Sequence, residues 1–175
     1  IEASAFESIR SAIADADPVD QVLDSRHVDP GPGELEAVES FIGECFSGDT
    51  VEEIVARLNA EKGVLEVWAR AVARELDQRC PTSLKITHRH VRAAQALDLS
   101  ATLVQDYRIA RRCLERRDFY EGVRALLIDK DRTPRWQPAG LQGVSEAAVE
   151  AHFAPLADGE GLALASRAEM QALQP

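Results

Sequence analysis

Cysteine is scarce: Cys45, Cys80 and Cys113 lie far apart, with no Cys-x-x-Cys pair. That excludes a disulfide framework and a zinc ligand set, and the three read as reduced, partly buried thiols of a cytoplasmic protein. Apolar runs are short. None approaches the roughly 20 residues that cross a bilayer, so no membrane partner is expected. The chain begins at Ile1 without Met and without a basic-then-apolar leader, which predicts no signal peptide and leaves open that Ile1 is internal to something longer. Positive charge is outnumbered, 20 Lys and Arg against 30 Asp and Glu, for a net charge of −10. A chain built to coat nucleic acid would carry a basic stripe instead, so no nucleic-acid partner is expected.

Motifs of catalysis are lacking too. His88 and His90 are two residues apart, which on a helix points them to different faces and makes a poor chelate. There is no His-Glu-x-x-His and no Gly-x-Ser-x-Gly, and the Gly140 to Gly143 stretch lacks the strand and helix of a phosphate loop. No metal site and no catalytic residue is expected. Arginines near Cys80 and Cys113 in sequence could lower a thiol pKa, but a structural thiol is the favoured reading. Internal repeats, low-complexity tracts and strand signals are also missing.

What is present is enough apolar sequence, 45%, with 29% charged residues, for one domain with a core. Charge is uneven. From Arg79 to Arg117 nine Lys/Arg stand against three Asp/Glu, either a solvated helix face or a site for a phosphorylated ligand. The chain reads as a succession of helices. Phe6 to Ile13 is amphipathic and Asp17-Pro18 interrupts it. Asp29 to Gly33, DPGPG, is a linker. Helices are predicted from Glu34 to Phe46 and from Thr50, whose spacing to Glu53 is that of a capping box, with Val51, Ile54, Val55 and Leu58 on one face. Leu65, Trp68, Val72 and Leu76 repeat the pattern. Thr82 or Ser83 is read as the cap of a helix to about Leu97, and Asp98 to Ser100 as the start of one with a Leu103, Tyr107, Ala110, Leu114 stripe.

Asp118 and Glu121 also have capping-box spacing, with Val123, Leu126 and Leu127 as the buried face. Gly122 in that helix suggests close approach by another backbone, and the segment ends in a charge cluster and an exposed-looking Trp136. A short helix from Ser145 to Phe153 follows, and 162–173 could form another.

Three segments then take on a family character: CFSGDTVEEI (Cys45 to Ile54), CPTSLKIT (Cys80 to Thr87) and DFYEGVRALLIDKDRTPRWQPA (Asp118 to Ala139). Together they resemble the C-terminal part of the 3-hydroxyisobutyryl-CoA hydrolases, a branch of the enoyl-CoA hydratase/isomerase, or crotonase, superfamily. The last segment is the most specific, through EGVRALLIDKD followed by Pro-x-Trp. The resemblance implies a mainly α chain, the helical C-terminal region of a crotonase-like α/β fold whose strand-containing core is absent from it. The organisation expected is a helical lead-in over 1–28, a linker over 29–33, the C-terminal helical region over 34–155 and a peripheral tail over 156–175.

The implied activity is hydrolysis of a branched 3-hydroxyacyl-CoA thioester in valine breakdown. In the superfamily two backbone N–H groups hold the thioester oxygen and carboxylates act as acid and base. That machinery belongs to the core, so none of it is assigned to a residue here. Cys80 stands where the family usually has Ser. One role carries over: Lys130 as a contact to the nucleotide end of coenzyme A, the alternative being a cation favourably placed at a helix C-terminus. Coenzyme A enters as part of the substrate, with no cofactor bound covalently. The partners implied are an acyl-CoA substrate and either the missing core or a neighbouring subunit, with a homo-oligomer left open. A hydratase or isomerase of the same superfamily stays open, as does a non-catalytic helical interaction module. The enzyme reading predicts apolar surface left uncovered when these helices stand alone.

Overall fold

The computed structural model describes residues 3–15, 18–29 and 31–165. Among them the regular structure is helical throughout, with no strand. The chain divides into two compact units, Ile1–Ile42 and Gly43–Pro175. In the first, α1 (Phe6–Ala14) packs on α2 (Val19–Asp24), burying Ile9 and Val22. The helix α2 was not read from the sequence. The stretch expected as one helix from Glu34 starts as a 3-10 turn, Glu36–Val38, and becomes α3 only over Glu39–Phe46. Within the linker, Gly31 adopts a φ of 73° and its N–H donates to the Asp29 carboxylate at 2.8 Å.

The second unit is built around α4 (Val51–Ala60). Its capping box forms as expected: Glu53 N–H donates to Thr50 Oγ1 at 3.1 Å, while the Glu53 carboxylate accepts from Asp49 N–H at 2.9 Å. Gly48 is required beside it, since a Cβ there would lie 3.1 Å from Glu53 Cβ and 3.3 Å from the backbone nitrogen of Ile54. Val51, Ile54 and Leu58 are buried on one face, as their spacing predicts. They pack toward α5 (Glu66–Gln78), where small Ala69 and Ala73 are the buried residues and let the helices approach.

The next helix, α6 (Pro81–Ala94), departs from expectation at its start. Cys80 occupies the cap position without a side-chain cap bond, and Pro81 opens the helix. Thr82 and Ser83 lie inside its first turn, because proline at the first position needs no N–H partner and its fixed φ starts the helix early. Helix α7 (Leu99–Leu114) is capped by Asp98, which accepts from Ala101 N–H at 2.7 Å. Its predicted Leu103 to Leu114 stripe is not a buried one: Leu103, Ala110 and Leu114 are exposed, and Ile109 is the residue that reaches the core of Ile86, Val144 and Val149. That core joins α6 to α9 (Glu146–Phe153), whose cap is Ser145, as expected. The helix considered over 162–173 lies largely outside the described residues, and 162–165 are not helical.

The opening expectation for α8 (Arg117–Val123) fails instructively. The helix begins one residue before Asp118, so neither Asp118 nor Glu121 caps it. Past Val123 it widens into a π-helical turn over Arg124–Ile128, closed by Asp129 N–H donating to Arg124 O at 2.8 Å. The extra residue in that turn changes the phase of the side chains. Ala125 is buried, while Leu126, Leu127 and Ile128 are exposed.

Candidate functional site

Around the end of α8 the sequence assembles a charged turn on a fixed base. Arg124 is its hub. Its Nε and Nη2 donate to Glu121 at 3.0 and 2.8 Å, its Nη1 to Asp129 and Asp131 at 2.7 Å each, and its Nη2 also reaches Thr133 O at 3.2 Å. A planar guanidinium with five donors suits this better than an ammonium would. The arginine holds the Glu121 carboxyl down to about 2 and the Asp131 carboxyl below its usual range, aided by the backbone N–H groups of Arg135 and Thr133.

Asp118 and Glu121, one helical turn apart, are used as backbone acceptors for the returning segment. Glu121 Oε1 accepts from Arg135 N–H at 2.7 Å and Asp118 Oδ1 from Gln137 N–H at 3.0 Å. Trp136 lies between them, half-buried rather than exposed, with its Nε1–H donating to Gln78 O at 3.0 Å. The neighbour that demands Gly122 is this indole, whose ring would sit 3.3 Å from an added Cβ; no backbone makes that approach.

Lys130 stands at the tip of the turn. It is exposed, has a left-handed φ of 58°, and its ammonium meets no partner among the described residues. Arg132 has a φ of 55° and is likewise exposed; its N–H donates to Ala125 O at 3.0 Å while its guanidinium, like that of Arg135, is unpaired among the described residues. Left-handed backbone is costly for side chains with a Cβ and is kept only where the surroundings enforce it. Here Arg124 does so by gripping Asp129 and Asp131, and the three exposed cations have no counter-ion among the described residues. The hub was not read from the sequence; the Glu121-x-x-Arg124 spacing of a helical ion pair is the signal that could have found it.

The basic middle of the chain is mostly engaged internally. Lys85 pairs with Glu52 at 2.7 Å, Arg89 with Glu146 and Glu150, and Arg92, Arg108 and Arg112 donate to the carbonyls of Gly48, Phe153 and Pro155. His88 faces Gly48 O at 3.1 Å and His90 faces Asp106 at 2.5 Å, on different sides of α6. Burial pushes the Cys80 and Cys113 thiols up, Asp118 adding to this at Cys80, where the thiol donates to its carboxylate at 3.4 Å. The nearby arginines therefore do not activate them.

Beside the turn lies an open groove of about 720 Å3 between the start of α6, α8, the π-helical turn and α9. Ile86, Phe119, Val123, Leu126 and Leu127 supply its apolar walls, and His152 also lines it.

The enoyl-CoA hydratase/isomerase family description matches residues 1–153. The mitochondrial 3-hydroxyisobutyryl-CoA hydrolase of Danio rerio is 36% identical over 166 residues, covering 89% of this chain and 43% of that protein. Its Homo sapiens counterpart is 39% identical over 122 residues, covering 70% and 31%. Among solved structures, a carnitinyl-CoA dehydratase from Mycobacterium thermoresistibile superposes with a TM-score of 0.74 at 36% identity, over 89% of this chain and 44% of that one. An enoyl-CoA hydratase from Rhodobacter sphaeroides 2.4.1 gives 0.74 at 28% identity, over 94% and 46%. These matches bear out the resemblance read from the three segments and the mainly α, crotonase-like class. The chain spans less than half the length of these relatives.

Proposed function

The chain belongs to the enoyl-CoA hydratase/isomerase family, and on that premise we propose that it works as the helical part of an acyl-CoA thioester hydrolase acting on 3-hydroxyisobutyryl-CoA, the chemistry of valine breakdown. The observation that carries this reading is its 36% identity to the Danio rerio hydrolase across 89% of its length. In this role the chain supplies packing surface and coenzyme A contacts, and a strand-containing core, joined to it or separate, supplies the oxyanion donors and the catalytic carboxylates.

The charged turn is the proposed coenzyme A contact. Lys130 offers an ammonium that has no counter-ion among the described residues to the phosphorylated end of the substrate, Arg132 and Arg135 add charge, and the Arg124 grip holds them in place before the ligand arrives. A contact to a part of the substrate far from the thioester strengthens binding of ground and transition states alike. Lys130→Glu is therefore expected to raise KM for the CoA ester with little change in kcat. An unchanged KM would remove Lys130 from the site.

A second reading, hydration or dehydration of a CoA ester, is favoured by the two solved structures, both named for that chemistry. The protein as its source cell makes it should be assayed for thiol release from 3-hydroxyisobutyryl-CoA and, in parallel, for loss of enoyl-CoA absorbance. Thiol release supports the hydrolase, absorbance loss alone supports the hydratase, and neither would leave the helical interaction module.

A further inference from the structure

Two thiols that lie far apart in the sequence line the same groove. Cys80 sits at the start of α6 and is buried, while Cys113 lies in the last turn of α7 and is half-buried. Asp118 connects them: its Oδ2 accepts from the Cys80 thiol at 3.4 Å, and it stands just beyond Cys113 along the chain, where α7 gives way to α8. The Cys113 thiol is pushed up by burial and, after that, by Cys80, so the two sulfurs lie within electrostatic reach of one another. Cys45 shares none of this. It is buried on α3 and its thiol is raised by burial and by Glu44. Because Cys80 stands where the family usually has Ser, the pair is not something the crotonase fold requires.

A pair of thiols in one groove has few uses. A metal ion needs more ligands, and among the described residues no three His, Cys, Asp or Glu side chains gather to hold one. A disulfide needs only the pair. Burial disfavours the charged thiolate but not the neutral product, so it slows oxidation without making the disulfide unstable. We propose that Cys80 and Cys113 form a reversible disulfide when the protein meets a small-molecule disulfide, with Cys113 as the attacking thiol and Cys80 as the resolving one. Cys113, the more exposed, gives its proton to solvent, and its sulfur attacks one sulfur of the oxidant. That S–S bond breaks, a mixed disulfide forms and one small thiolate leaves to take up a proton. Cys80 Sγ then attacks Cys113 Sγ, its proton passing to the Asp118 carboxylate and from there to the second departing thiolate. Two protein thiols are oxidised and one small disulfide is reduced to two thiols. This site is separate from the proposed thioester chemistry and does not rest on it.

The test is peptide mapping of the protein as isolated from its source, after treatment with glutathione disulfide and trapping of the remaining thiols with iodoacetamide. The expected result is a linked peptide pair carrying Cys80 and Cys113, lost on addition of dithiothreitol, with Cys45 trapped as a free thiol. Cys80→Ser should leave Cys113 as a stable mixed disulfide with glutathione, and Cys113→Ser should leave Cys80 free. Asp118→Asn keeps an oxygen for the Gln137 N–H and should slow closure of the mixed disulfide without slowing its formation. In urea the preference should vanish and Cys45 should be linked as readily, since only the fold distinguishes the free cysteines. Glutathione retained on Cys113 of the unmutated protein, a linked pair that includes Cys45 in the folded protein, or no reaction at either groove cysteine would each overturn the proposal. Glutathione on Cys80 in Cys113→Ser would overturn the order of attack, and closure as fast in Asp118→Asn would remove Asp118 from the step.

Discussion

Leu58 and Leu126 both sit in apolar runs at helical spacing, yet Leu58 is 0% exposed and Leu126 is 61% exposed. The helix around Leu58 finds its partner inside the chain, where Ala69 and Ala73 of α5 allow close packing. The turn around Leu126 finds none among the described residues. Apolar periodicity thus specifies which face of a helix is to be covered; it does not say by what. On a chain that spans less than half the length of its relatives, the two cases separate what these residues complete by themselves from what they offer to something else.

The sharpest way to break that comparison is to truncate both leucines. Leu58→Ala is expected to cost about 2–5 kcal/mol, because a fully buried leucine leaves both lost transfer energy and a cavity. Leu126→Ala in the same 175-residue chain is expected to stay within about 0.5 kcal/mol, as for an exposed position. Urea unfolding monitored by circular dichroism reads both. A loss of similar size at Leu126 would mean that the exposed turn is covered in solution by the chain itself or by a second copy. In the protein as isolated from its source, the Leu126 loss should grow.

The next test concerns the charged turn, where the stabilising groups are titratable. Arg124 holds Glu121 down to about 2 from the ordinary 4.5, so the protonated form is disfavoured by the fold. The sign follows: a depressed carboxylate contributes stability fully above its unfolded value and loses it as pH falls through the folded one. Closure of the 129–135 turn should therefore weaken between pH 4.5 and about 2, visible as rising proteolytic cleavage or amide exchange there. Arg124→Gln should return the Glu121 and Asp131 carboxyls toward ordinary values in an NMR titration and open the turn at neutral pH. Carboxyls that stay low in that variant would assign the effect to the backbone N–H groups of Arg135 and Thr133 instead.

How much of this was legible beforehand follows from the range of each interaction. Local chemistry read well: Thr50, Asp98 and Ser145 cap helices because a side-chain oxygen three residues ahead of an orphan N–H has few other geometries available. Asp118 and Glu121 have the same spacing but accept from Gln137 and Arg135, and nothing within four residues announces a partner that far along the chain. The π-helical widening after Val123 escaped for a related reason, since a single extra residue in a turn rotates Leu126 and Leu127 without altering their spacing. Lys130 was singled out through the family motif, whereas nothing in the sequence signals that Cys80 and Cys113 line one groove.

A smaller expected effect tests the local side of the comparison. Thr50→Ala removes the oxygen that accepts Glu53 N–H and is expected to cost about 1 kcal/mol. Thr50→Asp should recover most of this, since aspartate caps as well and faces the positive end of α4. A loss that Asp does not recover would point to packing of the threonine methyl instead of the cap.

The smallest effect is expected at Gly122, where two contributions oppose. Alanine in a helix interior gains about 0.5–1 kcal/mol over glycine by restricting the unfolded chain. Against this, the new methyl meets the Trp136 ring at 3.3 Å, a contact that the indole can relieve only by shifting a few tenths of an ångström. The shift strains its Nε1–H bond to Gln78 O and, through the adjacent backbone, the Asp118 and Glu121 contacts to Gln137 and Arg135. A near-zero change in melting temperature with a red-shifted Trp136 emission, measured with Trp68→Phe as background, is the expected result. A clear gain in stability with unshifted emission would show that the return segment is looser than its hydrogen bonds imply, and would weaken the argument that the charged turn stands on a fixed base.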